Sequence, residues 1–204
     1  LFKSLAEETS GDLELAKRTA LQGIAQADTT QTEVLSDLYG QVGDLCVAQH
    51  KNQDAMAAYE ESIKLNGKNP NVLNNYAYFL LGLEQPALIE KAVRLASKAV
   101  ALHPNDFRLL DTYGFALFLQ RDYLQAEIYL RQAIERAEAA QKEDPSSVSI
   151  ASLTEYYYHY AKVQEEVGNL QTSLLFLQKV KQLVSTDEID LAIEEIKRRM
   201  ESSK

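Results

Sequence analysis

The sequence predicts an all-α fold in which antiparallel helix hairpins stack into a solenoid. Helix-forming residues dominate the chain, and its 8 Gly and 4 Pro residues are too few to supply the turns of an all-β fold. The heptapeptide NNYAYFL at residues 74–80 has a counterpart, DTYGFAL, at residues 111–117. In both cases a leucine, Leu73 or Leu110, lies three residues before the tyrosine. A chain that repeats such a phrase is built from repeated structural units.

Small side chains recur at two positions of each unit, one on the first helix of a hairpin and one on the second. On the predicted first helices they are Gly43, Ala77, Gly114 and Ala161, and on the predicted second helices they are Ala16, Ala55, Ala92, Ala126 and Ser173. Two antiparallel helices approach closely only where the side chains between them are small. One hairpin cannot bury its apolar face alone, so neighbouring hairpins are expected to stack and share a core.

This pattern resembles the tetratricopeptide repeat of bacterial proteins, a helix hairpin of about 34 residues with large and small residues at fixed positions. The resemblance extends over nearly the whole chain. It implies one array that winds into a right-handed superhelical solenoid with a C-terminal capping helix. The expected parts are a partial N-terminal repeat at 1–35, repeats at 36–69, 70–106, 107–145 and 146–187, and the capping helix at 188–204.

Two repeats in the N-terminal half of the chain depart from the usual length. The partial repeat at 1–35 is interpreted as a second helix whose preceding first helix is cut at Leu1. In the repeat at 70–106, the segment GLEQPALIE at 82–90 is expected to lengthen the turn between the two helices. Of the repeats, only this one keeps the closing proline, Pro104.

The C-terminal part of the chain carries two further signals. The second helix of the repeat at 107–145 is expected to continue through IERAEAAQKE until Asp144 and Pro145 end it. A capping box of Ser185 and Glu188 is expected to begin the last helix. That helix has one apolar stripe, formed by Ile189, Ala192, Ile193, Ile196 and Met200. Solenoids need such a terminal helix with a polar outer side for solubility.

Composition excludes several classes of partner. The formal net charge of −9 and the isoelectric point of about 4.9 argue against nucleic acid and anionic membrane surfaces, which require a basic face. No apolar run approaches the roughly 18 residues of a membrane span, so no direct membrane insertion is expected. The compartment is otherwise open. The resemblance to bacterial tetratricopeptide proteins favours the periplasm or cell envelope over the cytoplasm.

No catalytic, cofactor-binding or metal site is predicted. The three histidines, His50, His103 and His159, share no metal-ligand spacing. The chain also has no Gly-rich phosphate loop and no GxSxG motif. The single cysteine, Cys46, lies in an apolar helical stretch and is predicted to be a small buried residue. We therefore expect a protein that is not an enzyme and has no cofactor.

The resemblance also implies a partner-binding groove, because the first helices of tetratricopeptide repeats line the concave side of the array. The groove residues implied in this way are Asn71, Asn74, Asn75, Tyr78, Arg108, Asp111, Phe115, Tyr158 and Lys162. The equivalent positions also hold Asp37, Gly40, Gln41, Asp44, Thr112, Glu155 and His159. Family members that clamp a C-terminal carboxylate need several cations at these positions. Arg108 is one cation where several are required, so that subtype is rejected.

The function predicted from these features is a non-catalytic scaffold that binds a peptide or a partner's helix in the groove. Aromatic side chains together with Asn and Arg can hold a peptide through apolar contacts and hydrogen bonds. One alternative is an assembly module that self-associates through the ends of the array. Another is a spacer within a larger protein whose groove binds no specific ligand. The sequence does not identify the partner.

Overall fold

The computed structural model describes residues 10–202, and over that range the chain contains α-helices and no strand. This confirms the predicted all-α class. The helices are α1 (Ser10–Gln26), α2 (Thr32–Ala48), α3 (Asn52–Leu65), α4 (Pro70–Gly82), α5 (Pro86–Leu102), α6 (Phe107–Leu119), α7 (Tyr123–Glu143), α8 (Ile150–Glu166), α9 (Leu170–Leu183) and α10 (Asp187–Ser202). The first helices of the repeats are α2, α4, α6 and α8.

The helices belong to two compact units, and the boundary between them lies between Glu84 and Gln85. In unit 1, α2 and α3 form a hairpin, α1 packs against α2, and α4 packs against both helices of the hairpin. In unit 2, α6 pairs with α7 and α8 pairs with α9. Within that unit α5 packs against α6, α7 against α8, and α10 against α9.

Two of the predicted small residues, Gly43 and Gly114, lie at close helix crossings. A Cβ atom added to Gly43 of α2 would lie 2.6 Å from the ring of Tyr59 on α3. In unit 2, a Cβ atom on Gly114 of α6 would lie 2.6 Å from Leu130 on α7. Ala161 of α8 is fully buried. Because even one added methyl group would collide, these positions determine how closely the helices of a hairpin approach.

The connections that follow α2, α4, α6 and α8 are equal in length, and this corrects the interpretation of residues 82–90. Each first helix is joined to the next helix by three residues, 49–51, 83–85, 120–122 or 167–169. The turn after α4 is therefore no longer than the others. The extra residues extend α5 at its N-terminus, where Pro86 occupies the first turn. Proline suits that position because its missing N–H has no partner within the helix.

The middle residue of each three-residue turn has a left-handed backbone. These residues are His50, Glu84, Arg121 and Gly168, with φ of 57°, 54°, 69° and 84°. In the turn after α2, the N–H of Lys51 donates to the carbonyl of Cys46. The N–H of His50 donates to the carbonyl of Val47, which completes a Schellman-type helix end. This conformation favours glycine, which only Gly168 supplies.

The long second helix predicted for the repeat at 107–145 is confirmed, since α7 extends to Glu143 and Asp144 follows in an extended conformation. The apolar stripe of the last helix is also confirmed, because Ile189, Ile193 and Ile196 are buried. The predicted capping box is wrong by one position. The helix begins at Asp187, and the side chain of Thr186, not Ser185, accepts a hydrogen bond from the N–H of Ile189 at 3.4 Å.

Candidate partner-binding faces

The residues predicted for a groove lie on two faces, one in each unit. The α2–α4 face contains Asp37, Gly40, Gln41 and Asp44 of α2 together with Asn71, Asn74, Asn75 and Tyr78 of α4. The α6–α8 face contains Arg108, Asp111, Thr112 and Phe115 of α6 together with Glu155, Tyr158, His159 and Lys162 of α8. Each face consists of neighbouring first helices in contact with one another.

The start of α4 is determined locally by Asn69. Its side-chain oxygen accepts hydrogen bonds from the N–H groups of Asn71 and Val72, at 3.1 and 3.2 Å. Pro70 occupies the first helical turn. An asparagine cap followed by proline is a strong helix start. The Asn69 amide also donates to Asp37 at 2.6 Å, which links α2 to the beginning of α4.

Asp44 joins three helices of unit 1. Its carboxylate accepts hydrogen bonds from the Tyr59 hydroxyl of α3 and from the Asn75 amide of α4, the latter at 3.1 and 3.2 Å. Partial desolvation raises the pKa of Asp44, although the two hydrogen bonds oppose this shift. Asn75 therefore has a structural role that the sequence did not indicate.

The rest of α4 presents polar and aromatic groups to the surface. Tyr78 is 45% exposed, and Asn71 is also exposed. Asn74 lies one helical turn before Tyr78, on the same side of the helix. The side-chain oxygen of Asn74 is buried, and no residue of the described chain gives it a hydrogen bond. Such an orphaned acceptor is rare in native structures.

Gly40 does not belong to an accessible surface. A Cβ atom added there would lie 2.6 Å from Val72 of α4. The residue is buried and allows α2 and α4 to approach closely. Its assignment to the groove is therefore wrong, because its function is steric.

A buried acid–imidazole pair joins α6 to α8 on the α6–α8 face. The Nδ1 atom of His159 on α8 lies 3.0 and 3.1 Å from the two carboxylate oxygens of Asp111 on α6. Asp111 is 2% exposed and His159 is 5% exposed. Burial alone would lower the pKa of His159, but the Asp111 carboxylate outweighs it and raises the pKa above the usual value. The protonated form of His159 is thus favoured.

Phe115 covers this pair. Its ring is stacked on the His159 ring, with centroids 3.9 Å apart and an angle of 11° between the planes. Phe115 is also stacked on Phe118, with centroids 6.0 Å apart. Asp111 and Phe115, both predicted as partner contacts, therefore pack against the next first helix.

The two predicted cations of the α6–α8 face have carboxylate neighbours. The Arg108 guanidinium donates to both oxygens of Asp106, at 3.1 and 2.6 Å. Lys162 donates to Glu165 at 2.6 Å, and Glu165 also accepts from Arg199 of α10 at the same distance. Arg108 remains largely exposed, whereas Tyr158 and Lys162 are half-buried.

The described residues were predicted to form no metal site. No cluster of three or more His, Cys, Asp or Glu side chains suited to a metal ion occurs between residues 10 and 202. Cys46 is completely buried, as its apolar setting predicted. Among the helices described, none combines the length and the apolar character that a bilayer crossing requires.

Known structures share the arrangement of helices. YrrB, described as a TPR protein with an unusual peptide-binding site, matches with a TM-score of 0.62 and 17% identity, over 91% of this chain and 84% of its own. PilW, described as a widely conserved type IV pilus biogenesis factor, matches at 0.59 and 17% identity, over 97% and 94%. A tetratricopeptide repeat protein from Parabacteroides merdae matches at 0.66 and 18%, over 93% and 68%. The chain therefore has the tetratricopeptide-repeat fold.

The similarity of the chain to known proteins is more limited at the level of sequence. A 100-residue stretch is 29% identical to the bifunctional subunit NrfFG of the formate-dependent nitrite reductase complex of Haemophilus influenzae. The match covers 49% of this chain and 26% of that subunit, so the chain spans about a quarter of its relative. No family model matches the chain.

The Asp111–His159 pair was missed by sequence reasoning although both residues were placed on the correct face. The available signal was the pairing of an acidic residue with a histidine at neighbouring positions of consecutive first helices. Such side chains can reach each other where α6 and α8 are in contact. The helical period identifies which residues lie on the same face of a helix. Only the distance between α6 and α8 decides which of those residues contact the neighbouring helix instead of a partner.

Proposed function

We propose that this protein is a non-catalytic scaffold that binds a peptide or a helix of another protein on the α2–α4 face. The fold supports this class of function, and one structural neighbour, YrrB, is described as having a peptide-binding site. Tetratricopeptide arrays present side chains on rigid stacked helices, which suits recognition of a partner at low entropic cost.

The observation that carries the proposal is the pair of Asn74 and Tyr78 on α4. An exposed tyrosine offers a large rigid surface for an apolar contact. The side-chain oxygen of Asn74, one turn away, has no hydrogen-bond partner among the described residues, and it can accept a hydrogen bond from a peptide N–H group once the side chain rotates out of its buried position. Tyrosine is also among the residue types that dominate binding energy at protein interfaces. Asn71 extends the same polar surface toward the start of the helix.

The α6–α8 face has a secondary role in this proposal. Arg108, Tyr158 and Lys162 retain exposed surface and can contact a partner at the edge of a binding site. Asp111 and Phe115 are not part of the proposed contact surface, because they hold α6 to α8. The preference for the bacterial periplasm or envelope remains a prediction. Fractionation of cells that express the tagged chain would test it.

Selection from a phage-displayed library of random peptides on the immobilised chain tests the proposal. Peptides that bind the α2–α4 face should lose about tenfold or more in affinity on Tyr78→Ala or Asn74→Ala. The matched control is Leu175→Ala, which removes an apolar side chain that is 53% exposed on the second helix α9. Selected peptides that bind wild type and Tyr78→Ala equally would refute the site.

A further inference from the structure

The two helices of the α2–α4 face carry negative charges but no positive one. Neither α2 nor α4 contains a lysine, arginine or histidine. Their carboxylates are those of Glu33, Asp37 and Asp44 on α2, and all three residues are exposed. Asp37 and Asp44 are seven residues apart, which places them on the same side of the helix and about 10 Å apart along its axis. The face therefore presents two acidic groups at a defined spacing.

Neutral groups hold both of these aspartates in place. Asp37 accepts a hydrogen bond from the Asn69 amide at 2.6 Å, and Asp44 accepts from the Asn75 amide and the Tyr59 hydroxyl. No lysine or arginine between residues 10 and 202 forms an ion pair with either carboxylate. A carboxylate offers about four acceptor positions, so each aspartate keeps the capacity to bind a further donor. Both charges are thus oriented by the fold but not neutralised.

Several carboxylates elsewhere in the two units are paired with cations. In unit 1, Glu14, Asp54 and Glu61 on other helices have lysine partners, at 2.8, 3.8 and 3.0 Å. On the α6–α8 face, Asp111 is paired with His159. The α2–α4 face differs from these sites, because the cations that would complete its two aspartates must come from a bound molecule.

The helix α4 favours an extended segment over a helical one. The side-chain oxygen of Asn74, which has no partner among the described residues, needs an N–H donor when it rotates outward. The backbone N–H groups of a helix are mostly used within that helix, whereas a polyproline II segment leaves all of them available. Residues three apart in such a segment lie on one side of it and about 9 Å apart. This distance matches the spacing of Asp37 and Asp44.

We infer that the α2–α4 face binds an extended segment of another protein in which two cationic residues, Lys or Arg, stand three residues apart. One cation contacts Asp37 and the other contacts Asp44. Tyr78 lies one helical turn from Asn75, the partner of Asp44, so its exposed ring can contact the cation bound there. This inference rests on the proposed function of the face and adds the chemistry of the partner.

The sequence of this chain does not itself offer such a segment. Each connection between two described helices contains at most one lysine or arginine. Residues 1–9 contain one, Lys3, and residues 203–204 contain one, Lys204. A second copy could supply two cations on one extended segment only by unfolding a helix. A segment of a different protein is the occupant that requires no such change.

Peptides selected from a random phage-displayed library test the partner chemistry. Those that lose affinity on Tyr78→Ala bind the α2–α4 face, and Lys or Arg pairs three residues apart should be enriched among them relative to the unselected library. A labelled synthetic version of one such peptide is then compared, by fluorescence anisotropy, with a peptide of the same composition whose two cations are adjacent. The adjacent pair cannot reach both aspartates and should bind at least about threefold more weakly.

Variants of the chain test the same contacts from the other side. Asp37→Asn and Asp44→Asn remove the charge but keep an oxygen that can accept from Asn69 or Asn75. Each should weaken binding of the selected peptide about threefold, and the double variant about tenfold. The matched control is Asp54→Asn, which changes the net charge equally at a carboxylate of α3 and should leave the affinity unchanged. Raising the salt concentration from about 0.1 to 1 M should remove most of the difference between wild type and the double variant.

Three results would overturn the inference and leave the proposed function in place. One is a set of peptides that depend on Tyr78 but are not enriched in Lys or Arg pairs. Another is equal affinity of wild type and the double variant. The third is an equal loss in Asp54→Asn and Asp37→Asn, since the net charge of −9 would then attract the peptide without a defined contact. Failure to select any peptide that is sensitive to Tyr78→Ala or Asn74→Ala would instead remove the proposed function and the inference together.

Discussion

The α2–α4 face and the α6–α8 face use the same repeat positions in opposite ways. On the α2–α4 face, Tyr78 and Asn71 reach solvent, and the bond between helices is a hydrogen bond from Asn75 to Asp44. On the α6–α8 face, Asp111 and His159 form a buried ionisable pair. Position within a repeat therefore defines the direction of a side chain, whereas the neighbouring repeat decides whether it is available to a partner.

The largest expected difference between the two faces concerns stability. Asp111→Ala leaves the buried Nδ1 of His159 without its partner and should lower the free energy of unfolding by about 3 kcal/mol. Asn75→Ala removes a hydrogen bond at the surface and should cost about 1 kcal/mol or less. Denaturant titration of both variants measures the difference. Equal losses of unfolding free energy would mean that the Asp111–His159 pair stabilises the fold no more than the surface hydrogen bond of Asn75 does.

The same pair predicts a dependence on pH. The folded-state pKa of His159 is raised above 6.5, so its contribution to stability is complete below pH 6.5. That contribution is lost as the pH rises through the folded-state pKa. Besides Asp111, the charged group near His159 is Glu155, whose Oε1 lies 4.0 Å from Nε2. The free energy of unfolding should therefore fall over the upper part of the range in which imidazole titrates, about pH 5 to 8.

Two variants identify the origin of this pH dependence. Asp111→Asn keeps the shape of the carboxylate but removes its charge, so the fall in stability above pH 6.5 should become smaller or disappear. Asn75→Ala should leave the slope in this range unchanged. An Asp111→Asn profile parallel to that of wild type would show that another group titrates.

The aromatic residues of the two faces should also behave differently. Phe115→Ala removes a ring stacked on His159 and should lower the free energy of unfolding by about 2 kcal/mol. Tyr78→Ala, at an exposed position, should change it by about 0.5 kcal/mol or less. Thermal or chemical unfolding of the two variants gives the comparison. A large loss in Tyr78→Ala would indicate that this tyrosine is a packing residue, which would weaken the proposed binding site.

The packing of the hairpins could be predicted from the sequence because it depends on steric size. Gly43 and Gly114 lie at crossings where one methyl group would collide, so few residue types are possible. The end of α7 was predictable for a similar reason, since a residue before proline is disfavoured in a helix. Such local or strongly steric rules leave a clear trace in a single sequence.

Other features depend on choices that the sequence leaves open. Pro86 was interpreted as part of a turn, but proline is equally suited to the first turn of a helix, where the structure has it. Ser185 and Thr186 are both good N-caps, and the register of the apolar stripe on α10 decides between them. Whether Asp111 and Phe115 are buried or accessible depends on how closely α8 packs against α6, and this packing joins residues that are far apart in the sequence.

Buried polar groups without partners provide a smaller test within α8 and α9. Gln164 is buried at the position that Leu117 occupies on α6, and its Nε2 atom has no hydrogen-bond partner among residues 10–202. Ser173, whose hydroxyl is likewise unpaired there, takes the place of Ala126. Ser173→Ala should raise the free energy of unfolding by about 1 kcal/mol, because an unpaired buried group is removed. Gln164→Leu should raise it by less, because the hydrogen bond that the Gln164 oxygen accepts from the Asn169 amide at 2.9 Å is lost as well. A loss of stability would point to a partner such as a bound water molecule.

The smallest predicted effects concern the two turns of unit 2 that follow α6 and α8. Arg121 and Gly168 occupy the same left-handed position, and a side chain costs roughly 1 kcal/mol there. Arg121→Gly should therefore raise the free energy of unfolding by about 0.5 to 1 kcal/mol, reduced by the greater freedom of glycine in the unfolded chain. Gly168→Ala should lower it by about 1 kcal/mol, although nothing lies within 4 Å of the added Cβ atom. Because the added methyl group has room, a loss of stability in Gly168→Ala reflects backbone strain alone. Denaturant titration measures the free energy of unfolding of both variants. Changes of opposite sign would show that backbone conformation selects the residue at the helix ends after α6 and α8.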